Sequence, residues 1–572
     1  MRARTRLIRL QRLLYDRLKD YARDLLGGFS PELNKYFLEY KRDFRTFQEV
    51  STKRELLAAL QNAHIVVCGD YHTLSQAQRT VIRLLRGSLR LLKRRKSRLI
   101  LALEMARPQD NPKIARFLAG RVSEDAFLHS ISFSRNWGFP WKNYRRLFQF
   151  AKDHEIEIVG INLAQKGNRR PTLKERDRFA AKVVAELSAQ DEKALVVVLM
   201  GDLHLASNHL PKDLRTVLAS KKIKRTVLVV HQNHELFYWE LVERGLEQMV
   251  DVVKVRDQEY CVMNTPPWVK LKSHLKWTEI MADVDSNAPL LQKKEAEVGA
   301  LDGIDYTDEI RELITLIQAF IGLPPTLEDD FLIYSPADLS FLNRLRKDKG
   351  WSKLEIRRLA RALAEYDSLF VPGENIIFLS SLSLNHAATQ AAIYLHAKVS
   401  GRDVPFREPR RDFYAKVLIE ALGFIGSRIV NHKRKCNGPE DLKRLVDEAK
   451  EKRPRKKLLG DLRVAQLALS HFDAEQALFN GNSTRLSGFP LPDRAASDEV
   501  ILRYRKVATL LGQLLGHAIY TAAMENRVTR EEILDLFRNP FRDRLKTKVL
   551  YLTWARRMDE FGYRHVTKNE NL

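Results

Sequence analysis

Between residues 63 and 265, short apolar runs alternate with longer stretches whose apolar positions recur every three or four residues. The runs are His64 to Cys68, Arg98 to Leu103, Ile156 to Ile161, Leu195 to Met200 and Arg225 to Val230. Each is short and rich in aliphatic or β-branched residues, as strands covered on both faces must be. The helical period occupies 76–95, 109–119, 141–153, 173–189 and 235–248. Strand–helix–strand alternation predicts right-handed crossovers, and so an open, mostly parallel sheet with helices on both faces. Two further runs, Val250 to Val255 and Tyr260 to Met263, flank Arg256-Asp257-Gln258-Glu259 and predict a terminal hairpin.

On either side of this region the pattern differs. Leu7, Leu10, Leu14, Leu18 and Tyr21 are spaced by three and four with arginines between them, predicting a basic amphipathic helix over 5–24. Asp16, Asp20 and Asp24 interrupt its positive face, which favours docking on protein over docking on anionic lipid. After Pro266-Pro267 the strand signal fades, and residues 290–572 read as mostly helical. Capping boxes at Ser352/Glu355 and Thr529/Glu532 mark two helix starts. The acid-free stretch Ile376 to Val399 predicts a central helix or helix pair, and loops fall near 401–410, 432–440 and 481–496. The expected class is α/β followed by a mostly α-helical C-terminal domain. Its expected parts are a basic helical segment (1–50), an α/β domain (51–285) and a helical domain (286–572).

The chain's 572 residues fit two to four folded units at about 150 residues each. Three scattered cysteines, Cys68, Cys261 and Cys436, are too few for a disulfide framework and read as reduced, buried thiols. No apolar run reaches the roughly 18 residues a membrane span needs, and the first residues alternate arginine with apolar side chains, so a cytoplasmic protein without a transmembrane segment is expected. Basic side chains outnumber acidic ones, 98 to 72, for a net charge of +26. That excess concentrates in Arg83 to Arg98 and Lys450 to Lys457. Neither run carries interleaved aromatics or a duplex-reading motif, so solvated faces are expected there and not nucleic acid or anionic lipid partners. A basic interaction scaffold stays open as an alternative.

Standard phosphate-loop, HExxH, Gly-x-Ser-x-Gly and CxxC signatures are absent, and the SxxK spacing at Ser273/Lys276 is of a kind that chance supplies. Position is more informative. His72 follows the first strand as Gly69-Asp70-Tyr71-His72, Glu104 ends the second, Asn162 ends the third, and His204 follows the fourth as Gly201-Asp202-Leu203-His204. In an open parallel sheet all four positions share the edge where ligands bind. Glycine at each turn is expected to let the backbone bend and leave the histidine facing the crevice. Two imidazoles with Glu104, Asp70 and Asp202 offer nitrogen and oxygen ligands to a divalent metal. Equally, one histidine serves without metal as general base on water, with Glu104 orienting or charging it. His231 and His234, after the fifth strand, are further candidates.

Taken together, Gly69-Asp70-Tyr71-His72 with Gln76 and Gln78, Leu101 to Met105 ending in Glu104-Met105, Trp137 with Tyr144, Asn162, Glu175-Arg176-Asp177 and the second Gly-x-x-His resemble the ChaN-like haem-binding uptake domain over about residues 50–275. That domain shares a superfamily with the Tiki metalloproteases, the TraB/PrgY-type proteins and the erythromycin esterases. The resemblance implies that His72, Glu104 and His204 form the active site, as catalytic groups or metal ligands, with Arg176-Asp177 in support. It implies a cofactor, haem or a divalent metal ion, near Tyr71, Asp70, Asn162 and Asp202. Haem in this family is held through a tyrosine near a dimer interface, for which Tyr71, Tyr238 and Tyr260 are the candidates here. The expected partners are a small-molecule or tetrapyrrole ligand and a second copy of the chain. A crevice for haem or a metal-bound ligand is the first reading, and a hydrolase of the Tiki or erythromycin esterase type is the alternative. The helical half resembles no family, and its role is expected to be regulatory or an oligomer interface. His386, His396 and His517 read as core histidines.

Overall fold

The computed structural model describes residues 3–26, 30–94, 98–165, 169–283, 306–324, 330–336, 338–380, 383–402, 409–451, 456–483, 486, 489, 491 and 496–566. The chain divides into two compact units, one built on Leu14–Val298 and one on Met1–Leu13 with Gly299–Glu570.

In the first unit every predicted strand forms. The strands are β1 (Glu49–Ser51), β2 (Ile65–Asp70), β3 (Leu99–Leu103), β4 (Glu157–Gly160), β5 (Leu195–Gly201), β6 (Val227–Gln232), β7 (Val252–Arg256) and β8 (Glu259–Val262), and their order across the sheet is β1-β7-β8-β6-β2-β5-β3-β4. From β4 to β8 all neighbours are parallel. The predicted hairpin is β7–β8, turning through Gln258 at φ 54°, and β7 also pairs antiparallel with β1. β1 went unpredicted because three residues are too few to show a period.

Alternation along each strand sorts the core into two layers. Val66, Cys68, Leu101, Leu103, Val197 and Leu199 pack with Val81, Leu85, Leu147 and Phe148 of helices Ser75–Arg94 and Trp141–Asp153. Ile65, Val67, Ile100, Ala102, Val196 and Val198 pack on the other face with Ala181, Val184, Leu214 and Leu218 of helices Leu173–Gln190 and Leu210–Ser220. Both faces are buried, so the strands read as continuous apolar runs. Asp70 pairs with Gly201 across β2 and β5, which starts both histidine motifs side by side at one sheet edge.

N-terminal to the sheet, the basic helix spans Ala3–Leu26, and its buried stripe ends on Ala22 while Tyr21 is exposed. A second helix, Pro31–Asp43, is capped by Ser30 and buries Tyr36 and Tyr40. Helix Glu235–Glu243 stops short of its predicted end because Gly245 takes a left-handed φ of 74°.

The second unit is largely helical, and both predicted capping boxes form. It also holds a small sheet in the order β10-β11-β9, from β9 (Leu332–Tyr334), β10 (Ser368–Val371) and β11 (Ile376–Leu379). The central helix expected from Ile376 is therefore corrected: it spans Leu384–Ser400, and Ile376–Leu379 is a buried strand. Gly373 and Asn375, both at positive φ, make the turn, and Ile-Ile-Phe-Leu suits a pleated, buried surface. Helix Asp498–Met524 is long and apolar enough to cross a membrane by length and composition, yet 72% of its most apolar window is buried. Its Gly512 and Gly516 lie against the backbone of helix Pro409–Val430, where a Cβ would overlap Val417 O and Ala421 O. All three cysteines are buried, and none is in a disulfide. Of the two basic runs, the side chains of residues 90–97 and 450–457 lie outside the described residues.

Candidate functional site

At the C-terminal edge of β2, Asp70 is buried, and its carboxylate gathers three neighbouring side chains. Oδ2 lies 2.9 Å from His72 Nδ1 and accepts a 2.6 Å hydrogen bond from Tyr144 Oη, while Oδ1 accepts one of 2.5 Å from Gln78 Nε2. Beside it, β5 runs into a 3₁₀ turn, Asp202–Leu205, that delivers His204. His204 Nδ1 lies 2.5 Å from Asp177 Oδ1, and Asp177 Oδ2 accepts a 2.9 Å hydrogen bond from Tyr36 Oη.

Glu104, one residue beyond β3, sits between the two histidines. Its Oε2 is 3.8 Å from His72 Nε2, and its Oε1 is 3.8 Å from His204 Nε2. Gly201 N–H donates to Oε2 at 2.7 Å, and Arg176 forms an ion pair with Oε1. The result is a near-symmetric relay in which Tyr144, Asp70 and His72 face Tyr36, Asp177 and His204 across one carboxylate. Burial pushes the Glu104 carboxyl up, but Arg176, the two histidines and the Gly201 N–H outweigh it and hold the group at about 2. Burial also opposes a charge on His72, yet Asp70 and Glu104 together raise its pKa above the ordinary value.

The two motif glycines serve close approach, which corrects the expectation that they supply a sharp bend. Neither has positive φ. A Cβ at Gly201 would stand 3.2 Å from His72 Nε2, and one at Gly69 would overlap Asp202 Oδ1.

These groups open onto a cavity of about 890 Å³. Tyr71, Asp70, Asn162 and Asp202 all line it with His72, Glu104 and His204. Asp202 is bound by Lys270 Nζ at 2.5 Å, and the same ammonium lies 4.6 Å from the Tyr71 ring centroid. The outer wall is aromatic. Trp137 and Phe139 each place a ring 4.6 Å from His72, and Trp277, outside the lining, stacks on Phe139 at 4.7 Å and on His274 at 5.8 Å. His234 lines the cavity, and burial drives its pKa well below the ordinary value. His231 does not line it and instead pairs with Glu259 at 2.7 Å. Of the three tyrosine candidates only Tyr71 faces the cavity. Tyr238 is buried against Trp268, and Tyr260 packs on the sheet core.

Tyr36, Lys270, His274 and Trp277 were missing from the sequence-derived site. Helix Pro31–Asp43 carries a readable signal for the first of them, since Tyr36, Tyr40 and Phe44 recur every four residues behind Ser30-Pro31. Nothing local marks the other three, which come from helix Pro267–Asp283 beyond the hairpin.

The donor set does not fit a divalent cation. Both oxygens of Glu104 are engaged, Oε1 by the Arg176 guanidinium and Oε2 by the Gly201 N–H. Among the described residues, no group of three or more His, Cys, Asp or Glu side chains is arranged to hold a metal ion. Nothing in this arrangement shows the metal expected on His72, Glu104 and His204. The lining fits the chemistry of haem better, with the aromatic side chains Trp137 and Phe139, Tyr71 and His274 as donors, and the cations Lys19, Lys41, Arg135 and Arg170.

The fold and site define an α/β domain with a ligand cavity at the C-terminal edge of a parallel sheet. Residues 56–171 match the family described as Haem-binding uptake, Tiki superfamily, ChaN, and that stretch is similar to a ChaN-like domain. The match takes in His72 and Glu104 and ends before Arg176, Asp177 and His204. Among solved structures, ChaN of Campylobacter jejuni, which binds haem cofacially, is 11% identical, with 33% of this chain and 92% of that one covered at a TM-score of 0.27. The type III effector HopBA1 is 16% identical, with 32% and 86% covered at a TM-score of 0.24. No curated protein matches the chain.

Proposed function

We propose that the α/β unit binds haem, or a closely related anionic tetrapyrrole, in the cavity beside His72. The observation that carries this reading is the aromatic part of the cavity lining, where Trp137, Phe139 and His274 join His72 in a unit that matches the ChaN-like family over residues 56–171. On this reading Tyr71 and His274 would hold the iron, and the lining cations Lys19, Lys41, Arg135 and Arg170 would pair with propionates. Bound haem would supply an iron centre. The protein's own part is to orient the ring, exclude water from its face and neutralise its carboxylates. Haemin added to the full-length apoprotein should give a saturable Soret shift, with a displaced band position in Tyr71→Phe. A flat titration contradicts the reading.

A second reading, hydrolysis, is favoured by one specific feature. Each histidine has its Nδ1 side held by a buried aspartate, which leaves Nε2 directed at the shared carboxylate and the cavity. That is how an imidazole is set to take a proton from water, with Glu104 stabilising the imidazolium that results. Turnover of p-nitrophenyl acetate that is abolished in both His72→Gln and His204→Gln would establish it, and turnover unchanged in either would remove it.

A further inference from the structure

A cavity of about 520 Å³ lies in the second unit, among helix Lys353–Glu365, β10, and helices Leu384–Ser400, Pro409–Val430 and Asp498–Met524, and none of the chemistry above uses it. One side is apolar. Leu359, Ile393, Ile419 and Leu502 contribute to it, and a hydrocarbon chain placed against them would be removed from water.

The charged part of the lining is already matched. Arg358 is held by Asp498 at 2.8 Å, Lys416 by Glu420 at 2.5 Å, and Arg402 by Asp412 at 3.7 Å together with Pro540 O and Phe541 O at 2.7 Å each. Arg505 is engaged as well, Arg361 is exposed to solvent, and Glu355 accepts the Ser352 N–H of its capping box at 3.0 Å. With these groups engaged, an ionic ligand would give up its hydration without gaining an unmatched counter-charge.

Two uncharged polar groups of the lining do lack a partner. Gln390 is only 5% exposed, and its Nε2 donates to Ser368 Oγ at 2.8 Å, while its Oε1 is buried with no hydrogen-bond partner among the described residues. Tyr366 stands two residues before Ser368, and its hydroxyl is likewise buried with no hydrogen-bond partner among the described residues. Polar groups buried in this way cost free energy until something meets them. A carboxamide oxygen only accepts, whereas a phenol also donates. One ligand hydroxyl therefore serves both, donating to Gln390 and accepting from Tyr366.

We propose that this cavity binds an uncharged apolar alcohol, its hydrocarbon part against Leu359, Ile393, Ile419 and Leu502 and its hydroxyl at Gln390 and Tyr366.

Calorimetric titration of the full-length protein with octanol tests this. Its isomer heptyl methyl ether, which accepts a hydrogen bond but cannot donate one, is the first comparison, and octanoate and octylamine are the charged probes. Octanol should bind saturably at one site per chain, and the ether should bind about tenfold more weakly because it leaves the Gln390 oxygen unmet. Octanoate and octylamine should both bind more weakly than octanol. Gln390→Leu should bring octanol down to the affinity of the ether. Leu354→Trp, at a lining position 43% exposed and so tolerant of bulk, should weaken octanol about tenfold or more without lowering the unfolding temperature. Leu236→Trp, at the other cavity, should leave octanol binding unchanged. Should Gln390→Leu fail to fold, Leu354→Trp and the alcohol–ether comparison decide. No saturable octanol binding, equal affinity for the ether, tighter binding of either charged probe, undiminished octanol affinity in Gln390→Leu or Leu354→Trp, or loss in Leu236→Trp would each overturn the proposal.

Discussion

Tyr36 Oη donates a 2.9 Å hydrogen bond to Asp177 Oδ2, so a helix far upstream of the sheet braces the carboxylate that orients His204. Tyr144 does the same for Asp70 and His72 from the opposite side. Each imidazole is thus fixed through its Nδ1 by a carboxylate that is itself fixed by a phenol. The orientation of Nε2 toward Glu104 follows from that chain of contacts.

Removing either phenol should cost stability, because Asp177 and Asp70 are almost wholly buried and would lose a partner. Tyr36→Phe and Tyr144→Phe should each lower unfolding free energy by about 1–3 kcal/mol in urea titrations. The double variant should cost roughly the sum, since the two phenols serve different carboxylates. A change under about 0.5 kcal/mol in either single variant would show that the relay is not a structural constraint.

Much of this site was legible in sequence because it is built at strand ends. The strands announced themselves as apolar runs, and the parallel topology then placed His72, Glu104, Asn162 and His204 on one edge. What stayed hidden depends on long-range docking. Tyr36 lies in a segment read only as basic and helical, and its partner Asp177 is 141 residues away. Trp277 and His274 reach Phe139 from a helix past the hairpin, with no local periodicity tying them to the cavity. The Ile376–Leu379 strand was masked by the helical pattern C-terminal to it, and only the Gly373/Asn375 turn marks its start.

Acid and base should weaken the protein through different members of the same cluster. Glu104 is depressed from an ordinary value near 4.5 to about 2, so its stabilising contribution is complete above pH 4.5 and is lost as pH falls toward 2. A shift of that size corresponds to about 3 kcal/mol. Acid unfolding followed by circular dichroism should therefore be shallower between pH 4.5 and 2 in Glu104→Gln than in the wild type. His72 is raised, so its contribution is complete below about pH 6.5 and is lost as pH climbs through the folded value. His72→Gln should flatten the stability profile on that alkaline side. Identical profiles for variant and wild type would remove the assigned cause.

In the second unit, Gly516→Ala sets helix propensity against packing. Alanine gains about 1 kcal/mol in a helix interior, but its Cβ would overlap Ala421 O and lie 3.0 Å from Phe424 Cβ. Overpacking of about 1–3 kcal/mol should win. Thermal unfolding should show a net loss for Gly516→Ala, and a gain would mean that the two helices separate at little cost.

The haem reading rests on the aromatic wall, and haemin affinity measured on Trp137→Ala/Phe139→Ala against the wild type and His72→Gln tests it most directly. A Soret titration should give a single saturable phase in the wild type and in His72→Gln, with affinity about tenfold or more lower in the wall variant. Wild-type affinity in the wall variant, or no saturable Soret change in any of the three proteins, would contradict the account.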